Sequence, residues 1–98
     1  MDKRFKPLTP AEELQARRSL SEELEASPGL AIHVVVKKIR STLRLTIAEY
    51  ARLCGVSARA LADIERGDAS PTLVTVEKLL KPMGLRVGVV AARKTGAL

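Results

Sequence analysis

The stretch from Leu45 to Gly67, L-T-I-A-E-Y-A-R-L-C-G-V-S-A-R-A-L-A-D-I-E-R-G, constrains the fold more than any other part of the chain. It holds two short helical patterns hinged on one glycine. Ile47, Tyr50, Ala51 and Cys54 recur at i, i+3, i+4 and i+7, the spacing of one helix face, behind Thr46 as an N-cap candidate. Gly55 ends that helix, because glycine takes positive φ without steric cost and so turns the chain sharply. Val56 is the apolar plug between the two helices, and Ser57 is placed to cap the second. From Ala58 onward Ala60, Leu61 and Ile64 again have helical spacing, and Gly67, Asp68 and Pro71 stop the pattern. Ala51 lies four residues before the turn glycine, a small side chain where two helices crossing at roughly 90 to 120° must approach.

Thr46-x-x-x-x-Ala51-x-x-x-Gly55-Val56-Ser57, then Ile64-Glu65-x-Gly67 followed by Pro71-Thr72-Leu73, resembles the Cro/repressor type of helix-turn-helix over about Leu30 to Leu80. The resemblance implies DNA binding, with the helix that starts at Ser57 in the major groove and Ser57, Ala58, Arg59 and Asp63 facing the bases. Arg59 is the strongest of these, since a bidentate Arg to guanine is the commonest specific contact and discriminates by about 1 to 3 kcal/mol. Ala58 offers apolar contact with a thymine methyl. Asp63 either accepts from a cytosine amino group or pairs with Arg59 one turn earlier. Lys37, Lys38, Arg44, Thr46 and Arg66 are the phosphate candidates, which position a protein without reading sequence. One departure is Ile47, where such proteins usually carry a Gln that contacts a phosphate. Many of them also pair an Arg and a Glu at the places of Arg40 and Glu65. Arg40 follows the apolar Ile39 and Glu65 follows Ile64, so both side chains start at the margin of one interface.

With 98 residues there is room for one domain and an appendage. One Phe, one Tyr and no Trp among 46% hydrophobic residues make the core aliphatic, and so small a domain often gains stability by dimerising. The formal charge of +6 is uneven. Residues 1–28 hold five Lys or Arg and six Asp or Glu, whereas residues 29–98 hold twelve and five, so the basic excess lies with the helix-turn-helix and suits phosphate binding. A single Cys excludes an internal disulfide and fits a reducing cytosol. Apolar runs reach only about four residues, too few to span a membrane, and the N-terminus lacks the apolar segment of a signal peptide. A cytoplasmic, nucleoid-associated protein is expected.

Along the chain, Met1 to Leu8 reads as a basic arm, either frayed or able to enter a groove or dock on a partner. Thr9, Pro10, Glu12 and Glu13 open a helix of about 15 residues whose stripe of Leu14, Ala16, Leu20 and Leu24 is narrow, so it is expected to pack loosely or on another chain. Ser27-Pro28-Gly29 marks a boundary and is also able to start the next helix, with Ser27 as cap and Pro28 at the first position. Ile32, Val35, Val36, Ile39 and Leu43 follow a helical face despite their strand propensity. Leu73, Val76, Leu79, Leu80 and Met83 define another helix, which Gly84 terminates. From Leu85 to Ala91 the pattern switches to period two, which predicts one strand, and a lone strand in a helical chain is satisfied by the same strand of a second copy in a C2 dimer.

The expected fold is therefore mainly α. A four-helix Cro/repressor-like domain occupies 29–84, an additional N-terminal arm and helix occupy 1–28, and 85–98 form a dimerisation strand and tail. That ending also resembles the HipB-like antitoxins in architecture. This second resemblance implies a HipA-like toxin of the kinase class as partner and repression of the operon encoding both, acting on double-stranded DNA at an inverted-repeat operator as a homodimer. A free-standing phage-type or metabolic repressor is the alternative, as is a protein-binding adaptor that keeps the helix-turn-helix only as scaffold. His33 has no ligand-type neighbour in sequence and reads as a surface residue, and Cys54 as a small buried hydrophobe. No nucleophile and base pair, phosphate-cradling loop or metal-ligand cluster is present, so neither an enzyme nor a cofactor is expected.

Overall fold

Among the described residues, four of the five helices begin where a hydroxyl meets their free N–H groups. Thr9, Thr46, Ser57 and Thr72 each accept from the backbone N–H three residues on. The computed structural model describes residues 7–92. It consists of α1 (Pro10–Ala26), α2 (Ile32–Leu43), α3 (Ile47–Cys54), α4 (Ala58–Glu65) and α5 (Leu73–Leu80), closed by a 3₁₀ turn over Lys81–Met83. At Thr9 and Thr46 the cap is reciprocal. Glu12 and Glu49 reach back to the cap residue's own N–H, so each box satisfies two donors at once.

The start of α2 differs from expectation. Ser27 does not cap it; its N–H donates to the Leu24 carbonyl and it closes α1 instead, after which Gly29 turns the chain at φ +88°. Residues 28–31 form the connection, and Ala31 precedes α2 without any side-chain cap. A cap must stand directly before the first helical turn, and the turn at Gly29 moves that point to Ile32.

The core is aliphatic around one aromatic. Val36 and Ile39 of α2, Tyr50 and Ala51 of α3, Leu61 and Ile64 of α4, and Val76, Leu79 and Leu80 of α5 are buried together, with Met83 beneath the last turn. Ala51 is the small residue at the α3–α4 approach, nearly without exposed surface. Tyr50, fully buried, donates its hydroxyl to the Leu79 carbonyl at 2.5 Å and so ties α3 to α5.

α1 is held more firmly than its narrow stripe suggests. Leu20 enters the core and Leu24 packs against it. Arg17 Nη1 donates to the Pro82 carbonyl at 2.6 Å, and Glu23 pairs with Lys38 Nζ of α2 at 2.5 Å. One residue of the expected stripe, Leu14, is nonetheless exposed. Polar anchors do what a wider apolar face would otherwise do.

The strand expected over Leu85 to Ala91 is not formed: among the described residues there is no strand at all. A ladder needs a second strand, and the described part of the chain supplies none. Val87 N–H finds the Glu77 carboxylate at 2.7 Å instead. Val89 is 99% exposed, its apolar side chain left in water. Among the described residues no helix is long and apolar enough to cross a membrane.

Candidate nucleic-acid interface

The interface is built by the corner between α3 and α4. Gly55 sits at φ +75°, ψ +34°, and a Cβ there would meet nothing within 4 Å, so glycine is required by the backbone rather than by space. Val56 N–H donates to the Ala51 carbonyl at 3.0 Å, which closes the end of α3 while the Val56 side chain packs on the core. Ser57 then caps α4, whose inner face is Leu61, Ile64 and Glu65. The opposite side begins with Ser57, Ala58 and Arg59, all exposed, and continues through Asp63 to Arg66. Arg59, Asp63 and Arg66 thus share an outward stripe at i, i+4 and i+7.

Glu65 is the one buried charge of the described chain, and Arg40 meets it in a fork. Arg40 Nε donates to Glu65 Oε2 at 2.7 Å and Nη2 to Oε1 at 3.0 Å, with side chains only 17% and 6% exposed. Arg40 Nη1 also donates to the Leu45 carbonyl at 3.1 Å. One guanidinium therefore holds α2, the approach to α3, and α4 together. Removing either partner of such a desolvated pair costs about 3 to 5 kcal/mol, against under about 1 kcal/mol for an exposed pair. The pair fixes the orientation of α4 on the domain.

Asp63 does not pair with Arg59. Its carboxylate accepts from Arg66 Nη2, and Arg66 Nε donates in turn to Asp68 Oδ2 at 3.0 Å. Asp68, the leading influence, pushes the Arg66 pKa further up. Arg59 has no ion-pair or hydrogen-bond partner among the described side chains. It is the open cation of the stripe.

The other phosphate candidates divide. Thr46 stands exposed at the N-terminus of α3, but its capping box places the Glu49 carboxylate on the same helix end, where an approaching phosphate would find like charge. Ile47 is half-buried and packs on the core, in line with its inability to take a phosphate by hydrogen bonding. Lys37 is exposed on α2. Lys38 reaches α1 through Glu23, and Arg44, in the left-handed conformation at φ +57°, lies close enough to Glu12 to act on it. Glu12 is held below the usual carboxylate range first by the Thr9 backbone N–H and hydroxyl, with Arg44 adding to them. Ser57, Ala58, Arg59, Asp63 and Arg66 thus follow one another along α4 and its two caps, Thr46 stands at the end of α3 away from the Gly55 turn, and Lys38 and Arg44 serve the contact with α1.

Two residues of this interface were not singled out from sequence. Glu49 was legible, because Thr-x-x-Glu before an apolar run is the signature of a capping box. Asp68 was not, since its partner depends on the turn at Gly67. Cys54 is half-buried, and burial pushes its thiol up and away from reactivity.

The helix-turn-helix family model matches residues 36–90, more than half of the chain. The chain belongs to the helix-turn-helix family. No curated protein and no solved structure matches it. As a helix-turn-helix protein of the Cro/repressor type it is a sequence-specific DNA-binding regulator of transcription. The match begins within α2 and ends in the segment after α5, so α1 is an addition to the helix-turn-helix unit.

Proposed function

We propose that this helix-turn-helix protein is a homodimeric transcriptional repressor acting at an inverted-repeat operator on the nucleoid. The observation that carries the reading is the exposed Ser57-Ala58-Arg59 corner at the N-terminus of α4, with the Arg59 guanidinium uncommitted among the described side chains. This is where a recognition helix meets base edges. The homodimer is supported by a second observation. Leu73 and Val74 at the start of α5 are 69% and 66% exposed, and Val87, Val89 and Val90 of the C-terminal segment are exposed as well, an apolar surface that a second copy would cover.

The antitoxin form of this reading, with a HipA-like kinase-class toxin as partner and autoregulation of a shared operon, rests on the passage from α5 into the apolar segment Leu85 to Ala91. A free-standing repressor uses the same DNA face without a toxin. A kinase-like reading frame beside the gene, and co-purification of its product with this protein, separate the two. The adaptor reading requires that the corner bind no DNA.

Gel shift on the region upstream of the protein's own gene tests the core of the proposal. Footprints are expected on two half-sites in inverted repeat, about 10 bp or roughly 34 Å apart. Arg59→Ala is expected to lower operator affinity by about 5- to 100-fold and to relax preference at one base pair per half-site, as loss of a guanine contact does. Equal loss on operator and scrambled DNA would reduce Arg59 to a phosphate contact.

A further inference from the structure

On the outward stripe of α4 the charges are not simply basic. Arg66 stands between two carboxylates, Asp63 one turn back on the helix and Asp68 beyond the turn at Gly67, so the three groups together carry one negative charge. Arg66 is the C-cap of α4, and at 1.5 Å per residue it lies roughly 10 Å beyond Arg59 along the axis. When the N-terminus of a recognition helix points at base edges, a side chain two turns later stands at the edge of the groove, where the phosphates run. Arg66 is therefore placed for a phosphate and already occupied.

We propose that Asp63 and Asp68 form a carboxylate latch that holds Arg66 in the free protein, and that a DNA phosphate takes the place of Asp68. The inference rests on the DNA-binding reading of the same corner and adds a regulating contact to it. Asp68 is the side that yields. Its carboxylate and the Arg66 side chain are both exposed, so water weakens that contact, whereas Asp63 is half-buried on the helix. The Asp68 backbone stays in place during the exchange, since its N–H donates to the Asp63 carbonyl at 3.0 Å, and only the side chain has to swing. Asp63 keeps Arg66 extended along the stripe throughout, so the guanidinium meets the backbone already oriented.

The latch has a consequence for selectivity. A free cation contributes to binding on any duplex by releasing counterions, whereas a cation that must first leave a carboxylate contributes less. Arg66 thus adds little to random DNA and more where Arg59 has already seated α4 on its bases. The same corner that reads DNA also discounts DNA it has not read.

The test is Asp68→Asn in the full chain, measured by fluorescence anisotropy from about 50 to 300 mM KCl on a 30-bp scrambled duplex and on a duplex from upstream of the gene. The variant is expected to bind the scrambled duplex about 5-fold tighter at about 100 mM salt, with the slope of log K against log salt steeper by about one. Adding Arg66→Gln should return both values to those of wild type. Arg66→Gln alone should leave both values near wild type, because a latched Arg66 adds little on scrambled DNA. A loss in that single variant as large as the gain in Asp68→Asn overturns the latch, because the two charges would then act additively and Asp68 by plain repulsion. No change in Asp68→Asn, with wild type binding DNA, overturns the latch alone. If the wild type binds neither duplex, the DNA-binding reading falls and the latch falls with it.

Discussion

Tyr50 is the one tyrosine of a chain without tryptophan, so its ionisation is visible in isolation. Burial first, then the neighbouring Cys54 and Glu65, push its pKa up, and its hydroxyl is committed to the Leu79 carbonyl. A folded-state pKa above the unfolded one means that stability is full below the ordinary tyrosine range near about 10 and is lost as pH rises above it, since only the unfolded chain releases the proton there. Tyrosinate absorbance at 295 nm in the native protein is therefore expected to appear together with loss of helical circular dichroism. A tyrosine that titrates near pH 10 with the helices intact would show the hydroxyl to be in water. At this scale the sequence was partly readable. Arg40 and Glu65 each flank a core residue, which puts both at one seam, whereas Asp63 has Arg59 four residues before it and Arg66 three after, and helical spacing permits either pairing. Only the path of the chain beyond Gly67, which brings Asp68 to the other side of Arg66, shows the second carboxylate.

At the scale of elements, polar caps and a glycine decide where helices begin and end. Gly55→Ala isolates the backbone part of that effect, because a Cβ there touches nothing within 4 Å and the only penalty is the left-handed conformation. A loss of about 1 to 2 kcal/mol in urea unfolding is expected. A loss well beyond that would mean the corner itself has rearranged, and operator binding would fail with it. Hydroxyls at Thr9, Thr46, Ser57 and Thr72 made four helix starts legible, since each precedes an apolar-periodic run. The start of α2 was not legible. Ser27-Pro28-Gly29 satisfies the rules for a stop and for a start alike, and what decided was the positive φ of Gly29. The expected strand from Leu85 fails for another reason: period two records that alternate side chains share an environment, but a ladder also needs a neighbour, and that neighbour is not in the described chain.

For the whole molecule, apolar surface is concentrated on α5 and the segment that follows it. Truncation after Gly84 is expected to leave the helices folded, as judged by circular dichroism, while moving the sedimentation equilibrium toward monomer and weakening operator binding with it. An unchanged dimer after truncation would assign self-association to another face. The contact between Arg17 and the Pro82 carbonyl spans 65 positions of chain. During synthesis at about 5 to 20 residues per second, α1 leaves the ribosome several seconds before its acceptor exists. The first helix made is thus among the last to be secured, and for that interval the apolar side of α2 that Leu20 and Leu24 cover is open to whatever else the nascent chain meets.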